Sequence, residues 1–128
     1  MSQTRTALVI DDDPGSRRLL ARWLEEMGWA VVEATSGAEA LDCALATELD
    51  LVLVDIRMPG TIDGLRTAMV LHENERSRRL PILAVSASPQ EIFRHRALAA
   101  GCAGFVSKPV SFKRLQQEID RLVPPGKR

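Results

Sequence analysis

Three consecutive acids, Asp11, Asp12 and Asp13, follow directly after the short apolar run 7–10. Such a run bounded by polar residues is typical of a buried strand, so the acids are expected at one edge of a sheet. Crowded carboxylates repel each other unless a cation lies among them, and Mg²⁺ prefers oxygen ligands of this kind. Asp13 precedes Pro14 and fits the N-cap of a helix, which is the alternative role for an acid here. Asp11 and Asp12 are then left as candidate metal ligands.

Three further apolar runs end in residues that could share this chemistry. They end in Asp55, in Ser86 and, after the run 104–107, in Lys108. In open parallel α/β sheets, ligands bind beyond the carboxyl ends of the strands. An acid pair, a single acid, a hydroxyl and a lysine at four such ends therefore predict one convergent site. Taken singly, Ser86 could be a plain strand end and Lys108 a solvated surface lysine.

The elements that must position these residues alternate along the chain. Trp29 to Glu33 is predicted as the second strand, and the first helix carries its apolar residues on one face: Leu19, Leu20, Trp23, Leu24 and Met27. Gly28 and Gly101 are predicted to end the first and fourth helices. The predicted helices run from about Pro14 to Met27, from Ser36 or Gly37, from about Leu65 to Arg78, from about Pro89 to Ala100, and through Phe112, Leu115, Ile119 and Leu122. Five strands alternating with five helices predict a parallel α/β sheet with helices on both faces.

Composition narrows the classes of function. The 128 residues are 45% hydrophobic, which fits one domain over 1–128 with an ordered core at about 5–123. The formal net charge is zero, which argues against direct nucleic-acid binding. No apolar stretch approaches a membrane span, so no membrane partner is expected. Cys43 and Cys102 are isolated and are expected to be reduced, and the expected location is cytoplasmic.

Taken together, the motifs resemble the receiver domain of two-component response regulators. They span residues 5 to about 123, and the segments that carry the resemblance are Val9-Ile10-Asp11-Asp12-Asp13, Leu53-Val54-Asp55-Ile56-Arg57-Met58-Pro59-Gly60, Val85-Ser86-Ala87 and Phe105-Val106-Ser107-Lys108-Pro109. The resemblance implies a flavodoxin-like fold with strand order 2-1-3-4-5. It also implies a signalling domain that catalyses only its own phosphorylation and dephosphorylation.

The resemblance implies a role for each residue of the predicted site. Asp55 accepts the phosphoryl group, Ser86 hydrogen-bonds it, and Lys108 pairs with one of its oxygens. Asp12 would bind Mg²⁺ directly and Asp11 partly through water. The complete set of implied metal ligands is Asp11, Asp12, Asp55 and the backbone carbonyl of Arg57. The chemistry is consistent, because Mg²⁺ and the lysine together cancel three carboxylate charges, and phosphoryl transfer needs mainly positioning and charge neutralisation.

A signalling switch and its partners follow from the same resemblance. The phosphoryl donor would be a sensor histidine kinase or a histidine phosphotransfer protein. Ser86 would move toward the phosphoryl group, and Phe105, at the switch aromatic position, would rotate inward. The face of helix 4, strand 5 and helix 5 would then bind a downstream protein. Its expected contact residues, which could equally be merely solvated, are Arg94, His95, Lys113 and Arg114. Many DNA-binding relatives carry acids where this chain has Ala103 and Gly104, so a monomer or weak dimer is expected.

One departure and three alternatives stand beside this interpretation. The loop after the acceptor has one extra residue, at Gly60-Thr61-Ile62, where insertions are tolerated. An aspartyl phosphatase would need an Asp-x-Asp-x-Thr or Val motif, which Gly15 breaks. A flavodoxin would need a hydroxyl-rich phosphate loop after the first strand, where this chain has acids. A phosphorylation-independent interaction module with the same fold is the third alternative, and it is disfavoured because every pocket residue is present.

Overall fold

Strands and helices alternate through the structure, a computed structural model that describes residues 4–56, 64–86 and 91–125. The strands are β1 (Thr6–Ile10), β2 (Ala30–Ala34), β3 (Leu51–Asp55), β4 (Ile82–Ser86) and β5 (Gly104–Ser107). The helices are α1 (Pro14–Glu26), α2 (Gly37–Ala46), α3 (Gly64–Glu73), α4 (Glu91–Ala99) and α5 (Phe112–Leu122). Arg57 and the loop at 60–62 lie outside the described residues, as does Pro89, the predicted start of the fourth helix.

The strands form one parallel sheet in the order β2-β1-β3-β4-β5, which confirms the predicted flavodoxin-like topology. The register pairs Ile10 with Val54, so the residues that follow β1 lie beside the end of β3. Ser86 at the end of β4 pairs with Ser107 at the end of β5. All of the chemically interesting strand ends therefore meet at one edge of the sheet.

Helices cover both faces of the sheet, as predicted. Alternate strand residues point to opposite faces, so each face has its own core. One core lies under α2, α3 and α4 and includes Leu8, Ile10, Val52, Val54, Ile82 and Ala84. The other lies under α1 and α5 and includes Ala7, Val9, Leu51, Leu53, Leu83 and Val85. Every residue of β3 and β4 is buried, and burying each large apolar side chain contributes about 1.5–3 kcal/mol. The acids at the strand ends are thus held by the most buried part of the fold.

Helix ends follow the predicted capping signals. Asp13 caps α1, and its side chain accepts a hydrogen bond of 2.9 Å from the backbone N–H of Ser16. Gly28 and Gly101 follow the ends of α1 and α4 with φ of 98° and 101°, a conformation that glycine adopts most easily. The first acid cluster is therefore followed at once by a well-capped helix.

Three local predictions were wrong. Helix α3 ends at Glu73 rather than at Arg78, because Ser77 turns back and donates its side-chain O–H to the carbonyl of Leu71 at 2.6 Å. Strand β2 begins and ends one residue later than predicted. Leu19 is 47% exposed instead of packing with the other apolar residues of α1. Among the described residues, no helix is long and apolar enough to cross a membrane.

Candidate functional site

Two buried acids lie side by side at the carboxyl edge of the sheet. Asp55 is the last residue of β3, and Asp11 is the first residue after β1. Asp11 is fully buried and Asp55 is 8% exposed. The backbone N–H of Asp13 donates to Oδ1 of Asp11 at 2.9 Å and anchors that carboxylate in the turn after β1. Two adjacent buried carboxylates would be costly unless a positive group lay between them.

Lys108 supplies that positive group. Its Nζ lies 3.1 Å from Oδ2 of Asp55 and 3.3 Å from Oδ2 of Asp11. The same Nζ donates to Oγ of Ser16 at 3.0 Å. An ammonium has three protons to donate, and these three acceptors match that number. Lys108 therefore links the ends of β1 and β3 to the first turn of α1.

The electrostatics of the site follow from burial and from these contacts. Burial raises the pKa of Asp11, and the hydrogen bond from Asp13 and the charge of Lys108 only partly oppose this effect. Burial tends to lower the pKa of Lys108, but attraction to Asp55 and Asp11 outweighs it, so the pKa is raised. Lys108 is therefore a cation at neutral pH, while the charge of Asp11 is disfavoured and would gain from further positive charge nearby.

Ser86 and Phe105 lie on the neighbouring strands β4 and β5. Ser86 is fully buried, and its backbone carbonyl accepts a hydrogen bond of 2.6 Å from the backbone N–H of Lys108. Phe105 is 6% exposed and belongs to the core under α2, α3 and α4. The guanidinium of Arg94, on α4, lies 5.6 Å from the centroid of the Phe105 ring. Phe105 is therefore packed in that core, with the guanidinium of Arg94 beside its ring.

The donor atoms at this edge of the sheet fit Mg²⁺ in part. Across residues 4–56, 64–86 and 91–125, no three His, Cys, Asp or Glu side chains lie together as a metal-binding group. Asp12, the expected direct ligand, is half-buried and does not complete such a group with Asp11 and Asp55. The two buried carboxylates nevertheless have the right chemistry, because Mg²⁺ usually binds through one or two carboxylates and keeps several waters. Arg57, the fourth expected ligand, lies outside the described residues.

Three residues near the site were not singled out from the sequence. Ser16 binds Lys108, and Arg17 donates to the backbone carbonyl of Asp11 at 3.0 Å. A Cβ on Gly64 would lie 2.6 Å from Cα of Ile56 and closer still to the carbonyl oxygen of Asp55. Ser16 could have been found from the sequence, because it lies in the first turn of the helix that follows the three acids. No sequence pattern distinguishes Arg17 from its neighbours.

The residues expected to bind a partner have different surroundings. Arg94, His95, Lys113 and Arg114 are all exposed to solvent. Arg114 also donates to Glu118 at 2.9 Å. Arg114 is thus partly engaged within the protein, and Arg94 covers Phe105.

The fold and the site together define a class of protein. A parallel sheet that gathers two buried acids, a buried serine and a lysine at its carboxyl edge is the arrangement expected of a receiver. The family model described as "response regulator receiver domain" matches residues 7–120. Because the match covers most of the chain, the protein belongs to the receiver domain family of two-component response regulators.

Three similar proteins illustrate the range of the family. DivK, the polar-differentiation response regulator of Brucella ovis, is 31% identical over 116 residues, which cover 91% of this chain and 94% of DivK. The signal transduction histidine-protein kinase BarA of Shigella flexneri is 32% identical over 119 residues, which cover 93% of this chain but 13% of BarA. The receiver domain of sensor histidine kinase PA1611 from Pseudomonas aeruginosa PAO1 was solved with a magnesium ion in its active site cleft. It is 27% identical, with a TM-score of 0.85, and the match covers 94% of this chain and 98% of that domain.

Proposed function

We propose that this receiver accepts a phosphoryl group on Asp55 in a Mg²⁺-dependent reaction. The observation that carries the proposal is the contact of Lys108 with both Asp55 and Asp11. A buried acceptor carboxylate beside a fixed ammonium can receive an anionic group that the acids alone would repel. The phosphoryl donor we propose is a histidine kinase or a histidine phosphotransfer protein in the cytoplasm.

In the proposed reaction, a carboxylate oxygen of Asp55 attacks phosphorus in line with the donor's P–N bond. The O–P bond forms as the P–N bond breaks, and the departing imidazole nitrogen takes up a proton. Lys108 and Ser86 then donate hydrogen bonds to phosphoryl oxygens. Such bonds to charged oxygens are about twice as strong as neutral ones, so they favour the phosphorylated arrangement.

Asp11, Asp12, Asp55 and the carbonyl of Arg57 are the residues proposed to hold Mg²⁺. The ion would supply charge neutralisation for the phosphoryl oxygens. Burial already raises the pKa of Asp11, and a cation beside it would relieve the cost of keeping it charged. The receiver of PA1611 contains magnesium in its active site cleft, which supports the same cofactor here.

The proposed output is a change in the face formed by α4, β5 and α5. Ser86 and Phe105 lie on adjacent strands and connect the pocket to α4 through Arg94. A protein partner would bind this face, and the protein itself would act as a monomer or weak dimer. The alternative is an interaction module that works without phosphorylation. The observation that favours it is that, among the described residues, Asp12 forms no three-carboxylate group with Asp11 and Asp55.

Phosphodonor labelling separates these two functions. The protein is incubated with acetyl phosphate and Mg²⁺, or with a phosphorylated histidine phosphotransfer domain, and its intact mass is measured. We expect the gain of one phosphoryl group on the native protein and none on Asp55→Asn. Asp120→Asn, which removes an exposed acid of α5, is the matched control and should be labelled normally. Stoichiometric labelling of Asp55→Asn would refute the acceptor, and a native protein that is never labelled would favour the interaction module.

A further inference from the structure

The guanidinium of Arg17, in helix α1, contacts both strand β2 and the acid cluster that follows β1. Its Nε lies 3.0 Å from Oε1 of Glu33, and its second guanidinium nitrogen donates to the backbone carbonyl of Asp11 at 3.0 Å. The side chain of Arg17 is only 15% exposed, and that of Glu33 is 30% exposed. A guanidinium is a rigid planar group, so an anchor at one nitrogen sets the direction of the others.

The orientation of the Asp11 backbone carbonyl affects where the neighbouring carboxylates lie. The backbone N–H of Asp11 makes a bond of 3.2 Å to Ala34, and the chain then leaves the sheet. The next peptide joins Asp11 to Asp12, so the orientation of that carbonyl sets the plane from which both carboxylates project. The backbone N–H of Asp13 bonds to Asp11 Oδ1 in the same turn.

We propose that Arg17, anchored by Glu33, is a positioning residue that holds the turn at Asp11 and so directs the Asp11 and Asp12 carboxylates toward the cation. This role rests on the proposed function, because it assumes that the two acids bind a metal ion. The contacts that Arg17 makes do not depend on phosphorylation. The side chain of Arg17 contacts Glu33 and the backbone carbonyl of Asp11. It acts through the backbone that carries the acids.

When Arg17 is replaced, an effect of its charge and an effect of its positioning role would change the Mg²⁺ affinity in opposite directions. If only charge mattered, loss of a cation near the acids would strengthen Mg²⁺ binding, because like charges repel. If position matters, the loss should weaken Mg²⁺ binding despite the favourable charge change. Changes to residues that orient metal ligands typically cost about 10–100-fold in affinity. The sign of the change therefore distinguishes the two explanations.

The test is a titration of the protein with Mg²⁺ alone, in which the amide NMR signals of residues 11–13 report binding. Arg17→Gln should bind Mg²⁺ about 10-fold more weakly than the native protein. Arg18→Gln is the matched control, since it removes the same charge from an exposed position of the same helix. That control should bind as tightly as the native protein or more tightly. Binding by Arg17→Gln that is unchanged or tighter would overturn the proposal.

A second readout needs neither metal nor phosphoryl group. The turn at Asp11 is expected to loosen in Arg17→Gln, so the amide of Asp13 should exchange with solvent faster, while the amide of Leu8 in β1 should not change. Equal exchange at Asp13 in the native and variant proteins would also overturn the proposal. If the native protein neither binds Mg²⁺ nor accepts a phosphoryl group, the proposed function fails, and this exchange measurement still decides the role of Arg17.

Two more variants separate the geometry of the Arg17 contacts from the charge of Arg17. Arg17→Lys keeps the charge but has one nitrogen, which cannot hold Glu33 and the Asp11 carbonyl in the same fork. We expect it to bind Mg²⁺ more weakly than the native protein even though its charge is the same. Glu33→Gln should add little to the loss already caused by Arg17→Gln, because both act through one connection. Full native affinity in Arg17→Lys would show that charge alone is enough and would overturn the proposal.

Discussion

The ammonium of Lys108 lies 3.1 Å from Oδ2 of Asp55, across 53 residues of sequence. The proposed acceptor is therefore already paired with the cation that would later hold the phosphoryl group. Any group transferred to Asp55 must share or take over this contact. In the proposed reaction, Lys108 would thus compete with a metal ion for the resting carboxylates and would support the phosphorylated state afterwards.

Replacing Lys108 should separate metal binding from signalling. In Lys108→Met the ammonium no longer competes for Asp55 and Asp11, so Mg²⁺ should bind more tightly than in the native protein. The response of amide NMR signals in α4 and β5 to beryllofluoride should nevertheless be reduced, because the hydrogen bond to the new oxygens is lost. Lys113→Met, an exposed change on α5, is the control. Weaker Mg²⁺ binding by Lys108→Met would contradict the competition.

The half-buried acid Asp12 provides the sharpest test of the metal ligands. Asp12→Ala should fold but lose Mg²⁺-dependent labelling by acetyl phosphate, because it removes the proposed direct ligand. Labelling rate is measured across a Mg²⁺ titration, with Asp120→Ala as the control for loss of one exposed acid. If Asp12→Ala is labelled at the native rate with the native Mg²⁺ dependence, Asp12 is not a ligand.

A methyl group at Gly64 should disturb the acceptor through its backbone. The added Cβ would lie 2.8 Å from the carbonyl carbon of Asp55, far inside normal contact distance. Overpacking of this kind costs about 1–3 kcal/mol, so Gly64→Ala should lower the free energy of unfolding and slow labelling of Asp55. Gly15→Ala is the matched control, since its Cβ would lie an ordinary 3.7 Å from Oδ2 of Asp13. Equal stability and labelling in the two variants would show that the close approach is harmless.

Arg94 should couple the switch aromatic to helix α4. A guanidinium over an aromatic ring at an exposed site contributes about 0.5–1 kcal/mol, and here it joins α4 to Phe105. In the native protein, beryllofluoride with Mg²⁺ should shift amide signals at the pocket, at Phe105 and along α4. In Arg94→Ala the α4 shifts should shrink while the pocket shifts remain, and Arg96→Ala should behave like the native protein. Native shifts confined to the pocket would refute the switch and leave the acceptor chemistry standing.

The sequence predicted the parallel sheet and the convergence of acids and lysine, because those features depend on strand patterns and on where apolar runs end. The strand order was predicted only through the resemblance to receiver domains. Asp11 and Asp55 needed no more than the strand patterns and the ends of the apolar runs. Arg17 and Gly64 could not be found in this way, since their roles depend on how closely two separate elements approach. The end of α3 was missed for a similar reason, because the Ser77 side chain competes for a helix carbonyl that no periodicity reveals.

The raised pKa of Asp11 makes a prediction about stability and pH. Burial, its largest cause, lifts the pKa above 3.8, so the folded protein binds this proton more tightly than the unfolded chain. Native stability should therefore fall as pH rises from about 4 through the raised pKa. Asp11→Asn cannot titrate, so its free energy of unfolding relative to native should rise across that window and then level off.

Glu118 provides a control of opposite sign for this measurement. Its hydrogen bond with Arg121 leads a set of contacts that lower its pKa below 4.5, so its contribution is present above that pH and is lost as pH falls. Glu118→Gln should thus be less stable than native at neutral pH, with the difference shrinking in acid. Urea unfolding at a series of pH values checks both curves. If the Asp11→Asn difference instead shrinks as pH rises, attraction to Lys108 outweighs burial at Asp11, and the electrostatic account of the site is wrong.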